Sequence, residues 1–68
     1  MNVNHAALTA IRVKDGMTKK NLAEAAGISL QYLCDIEAGR RGAKPDVMKR
    51  IASALNVPLS AIEGRIPA

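Results

Sequence analysis

The sequence predicts an all-α fold of five short helices in a single domain, and three observations carry that prediction. Apolar residues make up 49% of the 68 positions, and Tyr32 is the only aromatic among them. A core built from short aliphatic side chains suits close-packed helices better than a sheet. No segment alternates apolar and polar residues long enough to read as a strand, and β-branched residues are scattered singly. Helix breakers also recur at Asp15-Gly16, Gly27, Gly39 and Asn56-Val57-Pro58, dividing the chain into pieces of helical length.

The first helix runs from about Asn4 to Lys14, with Leu8, Ile11 and Arg12 on one face, and stops at Asp15-Gly16. Thr18 caps a second helix, Lys19 to Ala26, that turns Leu22, Ala23 and Ala26 to one side and ends at Gly27, a residue suited to positive φ. Ser29 caps the third, which carries Leu33, Ile36 and Glu37 inward and ends at Ala38-Gly39. A polar loop, Arg40-Arg41-Gly42-Ala43-Lys44, follows. Pro45 opens a fourth helix, whose Val47, Met48, Ile51, Ala52 and Leu55 recur at helical spacing. A short fifth helix is expected over about Leu59 to Glu63, with a frayed tail over residues 64–68.

Ten Lys and Arg against six Asp and Glu leave a net charge of +4 on a small surface, which favours a polyanionic partner. The lone Cys34 excludes an internal disulfide, and no metal-ligand spacing is present. No signal-peptide pattern and no run of about 20 apolar residues occurs, so the expected compartment is the cytoplasm. The chain shows no Ser-His-Asp set and no phosphate-binding glycine loop, and its one His and one Cys stand 29 positions apart. We therefore expect no catalytic chemistry, no metal and no cofactor.

The informative stretch is about residues 19–38, two short helices joined by Gly27-Ile28-Ser29. A tight corner needs a small residue where the backbones cross, which Ala23 provides. It needs a left-handed residue four positions later, which is Gly27, and an apolar plug, which is Ile28. Leu22, Leu33 and Ile36 then anchor both helices on the core. This is the pattern of a helix-turn-helix, in which the second helix is held outward to enter a DNA groove.

Over Leu8 to Glu63 the chain resembles the phage lambda-type repressor and Cro (XRE-like) family of helix-turn-helix proteins. The matching residues are Leu22-Ala23-Glu24-Ala25-Ala26-Gly27-Ile28-Ser29, Ile36-Glu37-Ala38-Gly39-Arg40 and Ile51-Ala52-Ser53-Ala54-Leu55-Asn56-Val57. The resemblance implies five packed helices, a third helix that reads the major groove, and a two-fold dimer on a near-palindromic operator.

On the third helix, Gln31 and Asp35 point opposite Leu33 and Ile36 and are the candidates for base contact. The Gln31 amide can pair bidentately with adenine N6 and N7. Asp35 can only accept, for instance from cytosine N4, and its carboxylate is repelled by phosphate, so a solvated position stays open for it. Leu30 can cover a thymine methyl, Cys34 and Tyr32 border the same stripe, and Ser29 and Tyr32 are further base-reading candidates. Candidate phosphate contacts flank it. Lys19 lies at the start of the second helix, a backbone-clamping position by resemblance; Arg40, Arg41 and Lys44 lie in the following loop, and Lys20 is a further candidate. One extra residue around Gly42, relative to a common family spacing, bears on Lys44.

Arg12 and Glu37 fall on inward faces, where a charge is costly unless paired. By resemblance they form a bridge between the first and third helices. His5 is expected in solvent, and Cys34 as a semi-buried thiol. Leu59, Ile62 and Ile66 are the candidates for a weak homodimer contact on a double-stranded operator.

The reading is a transcriptional regulator acting by operator occupancy, most naturally a repressor; its length favours a Cro-like member over an immunity repressor, a restriction-modification controller or a host regulator. The alternative, an antitoxin-like protein or adaptor, would use the fold to bind another protein through apolar residues of the fifth helix and tail.

Overall fold

A computed structural model of the chain describes residues 3–64. It contains four α-helices, α1 (His5–Lys14), α2 (Lys19–Ala26), α3 (Leu30–Glu37) and α4 (Pro45–Leu55), followed by one 3₁₀ turn, Leu59–Ala61. The fold is all-helical, and none of these helices is long and apolar enough to cross a membrane.

Each helix begins in a similar way. Asn4, Thr18 and Ser29 cap α1, α2 and α3, their side-chain oxygens accepting the backbone N–H groups of Ala7, Asn21 and Tyr32 at 3.1, 3.0 and 3.0 Å. At α4, Lys44 makes no side-chain cap, and Pro45 occupies the first turn instead. An apolar residue precedes every cap, and another lies four positions into the helix: Val3 and Leu8, Met17 and Leu22, Ile28 and Leu33, Ala43 and Met48. These are the two positions of a hydrophobic staple. The four internal members are completely buried, and the four outer ones belong to the same core or pack against it.

The helix ends also share one geometry. Gly16, Gly27, Gly39 and Asn56 adopt positive φ. In each case the next residue donates its N–H back across the final turn: Met17 to Arg12 O, Ile28 to Ala23 O, Arg40 to Asp35 O and Val57 to Ala52 O, at 2.9–3.1 Å. These are the 6→1 bonds of Schellman motifs, which satisfy carbonyls the helices leave unpaired.

The core is the aliphatic set these ends enclose. Leu8, Leu22, Leu33, Ile36, Met48, Ile51 and Ile62 are fully buried, with Ala23, Ala26, Ala43, Val47, Ala52 and Leu55 around them. Small residues at Ala23, Ala26 and Ala52 suit a close approach of α2 and α4, the most extensively packed pair of helices.

Three expectations need correction. The residues after Pro58 do not form a fifth α-helix. A single 3₁₀ turn gives way to Ile62, which must enter the core, and to Glu63, which pairs with Val3 in an antiparallel bridge. The N–H of Asn4 donates to Ile62 O at 2.9 Å, so this segment is held extended against the start of α1. Ile62 is therefore unavailable as a dimer contact: it is 0% exposed. Leu59 is half-buried against the core, which removes much of the apolar surface the adaptor alternative required, and Ile66 lies outside the described residues. Finally, Ala43 is buried within the loop expected to be polar throughout.

Candidate nucleic-acid interface

The corner between α2 and α3 is built as local chemistry demands. Gly27 closes α2 at φ 71°, Ile28 turns partly into the core, and Ser29 starts α3 from an extended backbone at ψ 153°. Burial of Leu33, Ile36 and Glu37 then fixes the rotation of α3 about its own axis. Leu30 and Gln31 are left exposed, while Tyr32, Cys34 and Asp35 are half-buried.

The inner side of α3 is tied to α1 by a buried ion pair. Arg12 Nε donates to Glu37 Oε2 at 2.9 Å and Arg12 Nη2 to Oε1 at 3.1 Å, a bidentate arrangement. Arg12 Nη1 donates to the Met17 carbonyl at 2.8 Å, and the Thr9 hydroxyl to Glu37 Oε1 at 2.9 Å. Among the described residues no buried side-chain polar atom is left without a partner. The bond to Met17 also links this network to the approach to α2, so one guanidinium braces α1, the helix-turn-helix entry and α3 together.

The outer side carries a second network. Gln31 Nε2 donates to Asp35 Oδ1 at 3.1 Å, and Arg40 Nε and Nη2 donate to the same oxygen at 3.1 and 2.9 Å. The Arg40 hydrogen bonds, opposed by partial burial and aided by Gln31, hold the Asp35 carboxyl below its usual pKa. The Schellman turn at Gly39 brings Arg40 back over the helix end. An acidic residue five positions before an Arg, with a helix-ending Gly just ahead of that Arg, is the sequence signal for this pair.

The remaining candidates fall into two groups. Arg41 lies with its guanidinium carbon 4.6 Å from the centroid of the Tyr32 ring, so the only aromatic residue supports a cation at the border of the α3 stripe. The Ser29 hydroxyl is engaged as the α3 cap. Lys19 and Lys20 open α2, and Lys44 precedes α4; all three are exposed and, among the described residues, none has an ion-pair partner within 4.0 Å. His5 is exposed, and its ring lies over Gly39, where an added Cβ would approach Nε2 to 3.2 Å.

A bihelical corner with a buried inner stripe and a polar outer face defines a helix-turn-helix unit. The chain belongs to the helix-turn-helix family whose model matches residues 8–62. It is 34% identical over 55 residues to the transcriptional regulator ClgR of Mycobacterium tuberculosis, covering 81% of this chain and 49% of that protein. It is 39% identical over 57 residues to the immunity repressor protein of Bacillus phage phi105, covering 84% of this chain and 40% of that protein. The chain thus spans less than half the length of these curated relatives.

Solved structures give the same picture. The clp gene regulator ClgR from Corynebacterium glutamicum superposes with a TM-score of 0.79 at 32% identity, over 82% of this chain and 60% of that one. The restriction-modification controller protein C.AhdI from Aeromonas hydrophila superposes with a TM-score of 0.82 over 84% of this chain and 86% of that one. At 23% identity, that likeness concerns the fold.

Proposed function

We propose that this chain is a sequence-specific DNA-binding regulator of transcription that acts by occupying an operator, with α3 in the major groove, most simply as a repressor. One observation carries the reading: the Gln31 amide is exposed on the outer face of α3 while Leu33 and Ile36, on the opposite face, are 0% exposed. An exposed amide on a rigid helix suits adenine, and Leu30, 47% exposed one position earlier, suits a thymine methyl. Arg41, Lys19, Lys20 and Lys44 supply the flanking positive charge.

The family match and the names of the relatives support a regulatory role. A near-palindromic operator would bring two copies together with half-sites about 34 Å apart, through surface other than Ile62.

Selection of bound duplexes from a random library, followed by affinity measurements at two salt concentrations, tests the reading. The expected result is an enriched motif whose affinity falls steeply with salt and exceeds that for random DNA by about a thousandfold or more. Recovery of no preferred sequence, or binding to DNA that ignores salt, would sink it.

A further inference from the structure

Asp35 presents a problem for the simplest account of this surface, because a carboxylate facing DNA repels phosphate and an ionised carboxylate donates no hydrogen bond. The structure shows how that cost is offset. A single oxygen, Oδ1, accepts from Gln31 Nε2 at 3.1 Å and from Arg40 Nη2 and Nε at 2.9 and 3.1 Å. Only one orientation of the Gln31 amide is compatible with this carboxylate: turned over, its Oε1 would face Oδ1 and two acceptors would oppose each other.

In the favoured orientation one Nε2 hydrogen goes to Asp35. The other, together with Oε1, remains for a base edge, matching adenine N7 and N6. Arg40 meanwhile spends its positive charge on Asp35. It is 62% exposed at the side chain and close to the α3 stripe, but it is not free to grip phosphate indiscriminately.

We propose that Asp35 is a positioning residue that raises the specificity of this surface, locking the Gln31 amide toward adenine and restraining Arg40 from phosphate on every sequence. The inference rests on the assignment of Gln31 as a base reader and assigns Asp35 itself no base.

The test uses the whole chain, a duplex selected from a random library, its single-base variants, and a random duplex of equal length. Asp35→Ala releases Arg40 and removes a charge that repels phosphate, so random DNA is bound about three- to tenfold more tightly near 0.1 M salt, with a log–log salt slope steeper by about one, and the gain shrinks when Arg40→Ala is already in place. The same change loosens Gln31 and lowers discrimination about two- to tenfold at the base pair that Gln31→Ala relaxes, as expected when a freely rotating side chain must be ordered on binding.

Asp35→Asn tests the lock itself. Its amide can present either oxygen or NH2 to Gln31, so both orientations of Gln31 are accommodated and discrimination falls as in Asp35→Ala, while random binding still rises. Added to Gln31→Ala, Asp35→Ala costs nothing further at that base pair.

Asp35→Ala relaxing a different base pair would make Asp35 a direct reader and overturn the proposal. An unchanged preference at the Gln31 base pair, or weaker random binding, would overturn it while leaving Gln31 as reader. If Gln31→Ala itself leaves every base preference intact, the reader assignment fails and this inference falls with it.

Discussion

Arg12 and Glu37 meet at 2.9 Å with side chains 11% and 3% exposed; Arg40 and Asp35 meet at the same distance with side chains 62% and 21% exposed. Both pairs use the guanidinium Nε and Nη2, the inner on two carboxylate oxygens and the outer on one, and both carboxylates belong to α3, two positions apart. Burial separates their roles. The inner pair has lost its water and is held by Thr9 and the Met17 carbonyl as well, so removing one partner strands a charge where nothing replaces it. The outer pair keeps its Arg40 side largely in water, where an ion pair contributes little to stability, and removing one partner leaves the other to solvent. One helix therefore carries a fixed pair that sets where it sits and an exchangeable pair that influences what it binds.

The sharpest way to break the comparison is Glu37→Ala. It leaves the Arg12 guanidinium buried without its bidentate acceptor, and the expected loss is about 3–5 kcal/mol. A chain of this size has roughly 3–10 kcal/mol in total, so urea denaturation should find the variant marginal or unfolded at 25 °C. The paired replacement Arg12→Met with Glu37→Leu should recover much of that loss, because no charge is then stranded. Asp35→Ala in the same assay should shift stability far less, as expected for a surface pair. Equal losses for Glu37→Ala and Asp35→Ala would erase the distinction.

Gly27→Val is the control that damages the corner without touching either pair. An added Cβ there would meet only Arg50 Nη1, at 4.0 Å, so space is available and the cost lies in the backbone, held at φ 71°. A β-branched residue in that conformation should lose about 1–3 kcal/mol. Gly27→Asn should lose less, since Asn56 already occupies the left-handed region at φ 56° in this fold. Both variants should weaken selected and random DNA in parallel, by the fraction unfolded, and a change in base preference would contradict that.

This contrast also marks what could be read from the sequence. Caps and breakers are local, and Thr18, Gly27, Ser29, Pro45 and Asn56 placed α2, α3 and α4 almost to the residue. The inward faces followed from helical period alone. One escape was set by partners distant in the chain. Ile62 is buried because the last segment pairs with Val3 and Asn4, a contact spanning nearly the whole sequence that leaves no periodic trace. Ala43 looked like part of a charged loop, yet its place just before the α4 cap, five positions ahead of Met48, is a staple signature that was legible. On the outer face of α3, period gave the direction of Gln31 and Asp35. It could not show that Arg40, beyond the helix end, folds back onto the same oxygen.

A smaller effect concerns the flanking cations. Lys19→Ala and Arg41→Ala should each make the log–log salt slope for DNA shallower by roughly one unit, with selected and random duplexes affected about equally. Arg41 admits a sharper version, because its guanidinium lies over Tyr32. Tyr32→Leu keeps the charge and removes the aromatic support, so it should leave the slope unchanged and weaken binding only modestly. A slope shift in Tyr32→Leu as large as that in Arg41→Ala would mean that the ring, rather than the charge, organises this contact.

The smallest expected effect is on pH, and it isolates the outer pair. Asp35 is held below its ordinary pKa, first by the Arg40 hydrogen bonds. A carboxyl whose pKa is lower in the folded chain than in the unfolded one binds fewer protons when folded, so it favours folding wherever it is ionised. That contribution is fully present above the unfolded value of about 4 and is lost as pH falls through the lower folded value. The wild type should therefore lose stability over this acid window slightly faster than Asp35→Asn, which has no such proton to take up, and the two curves should run parallel above about pH 5. Because Arg40 is largely exposed, added salt should weaken the pair and narrow the difference. Urea midpoints measured from pH 6 down to 3, at low and high salt, give the comparison directly. An acid-window difference that persisted undiminished at high salt would show that Asp35 is sheltered from solvent, and the division of α3 into a fixed inner pair and an exchangeable outer one would have to be given up.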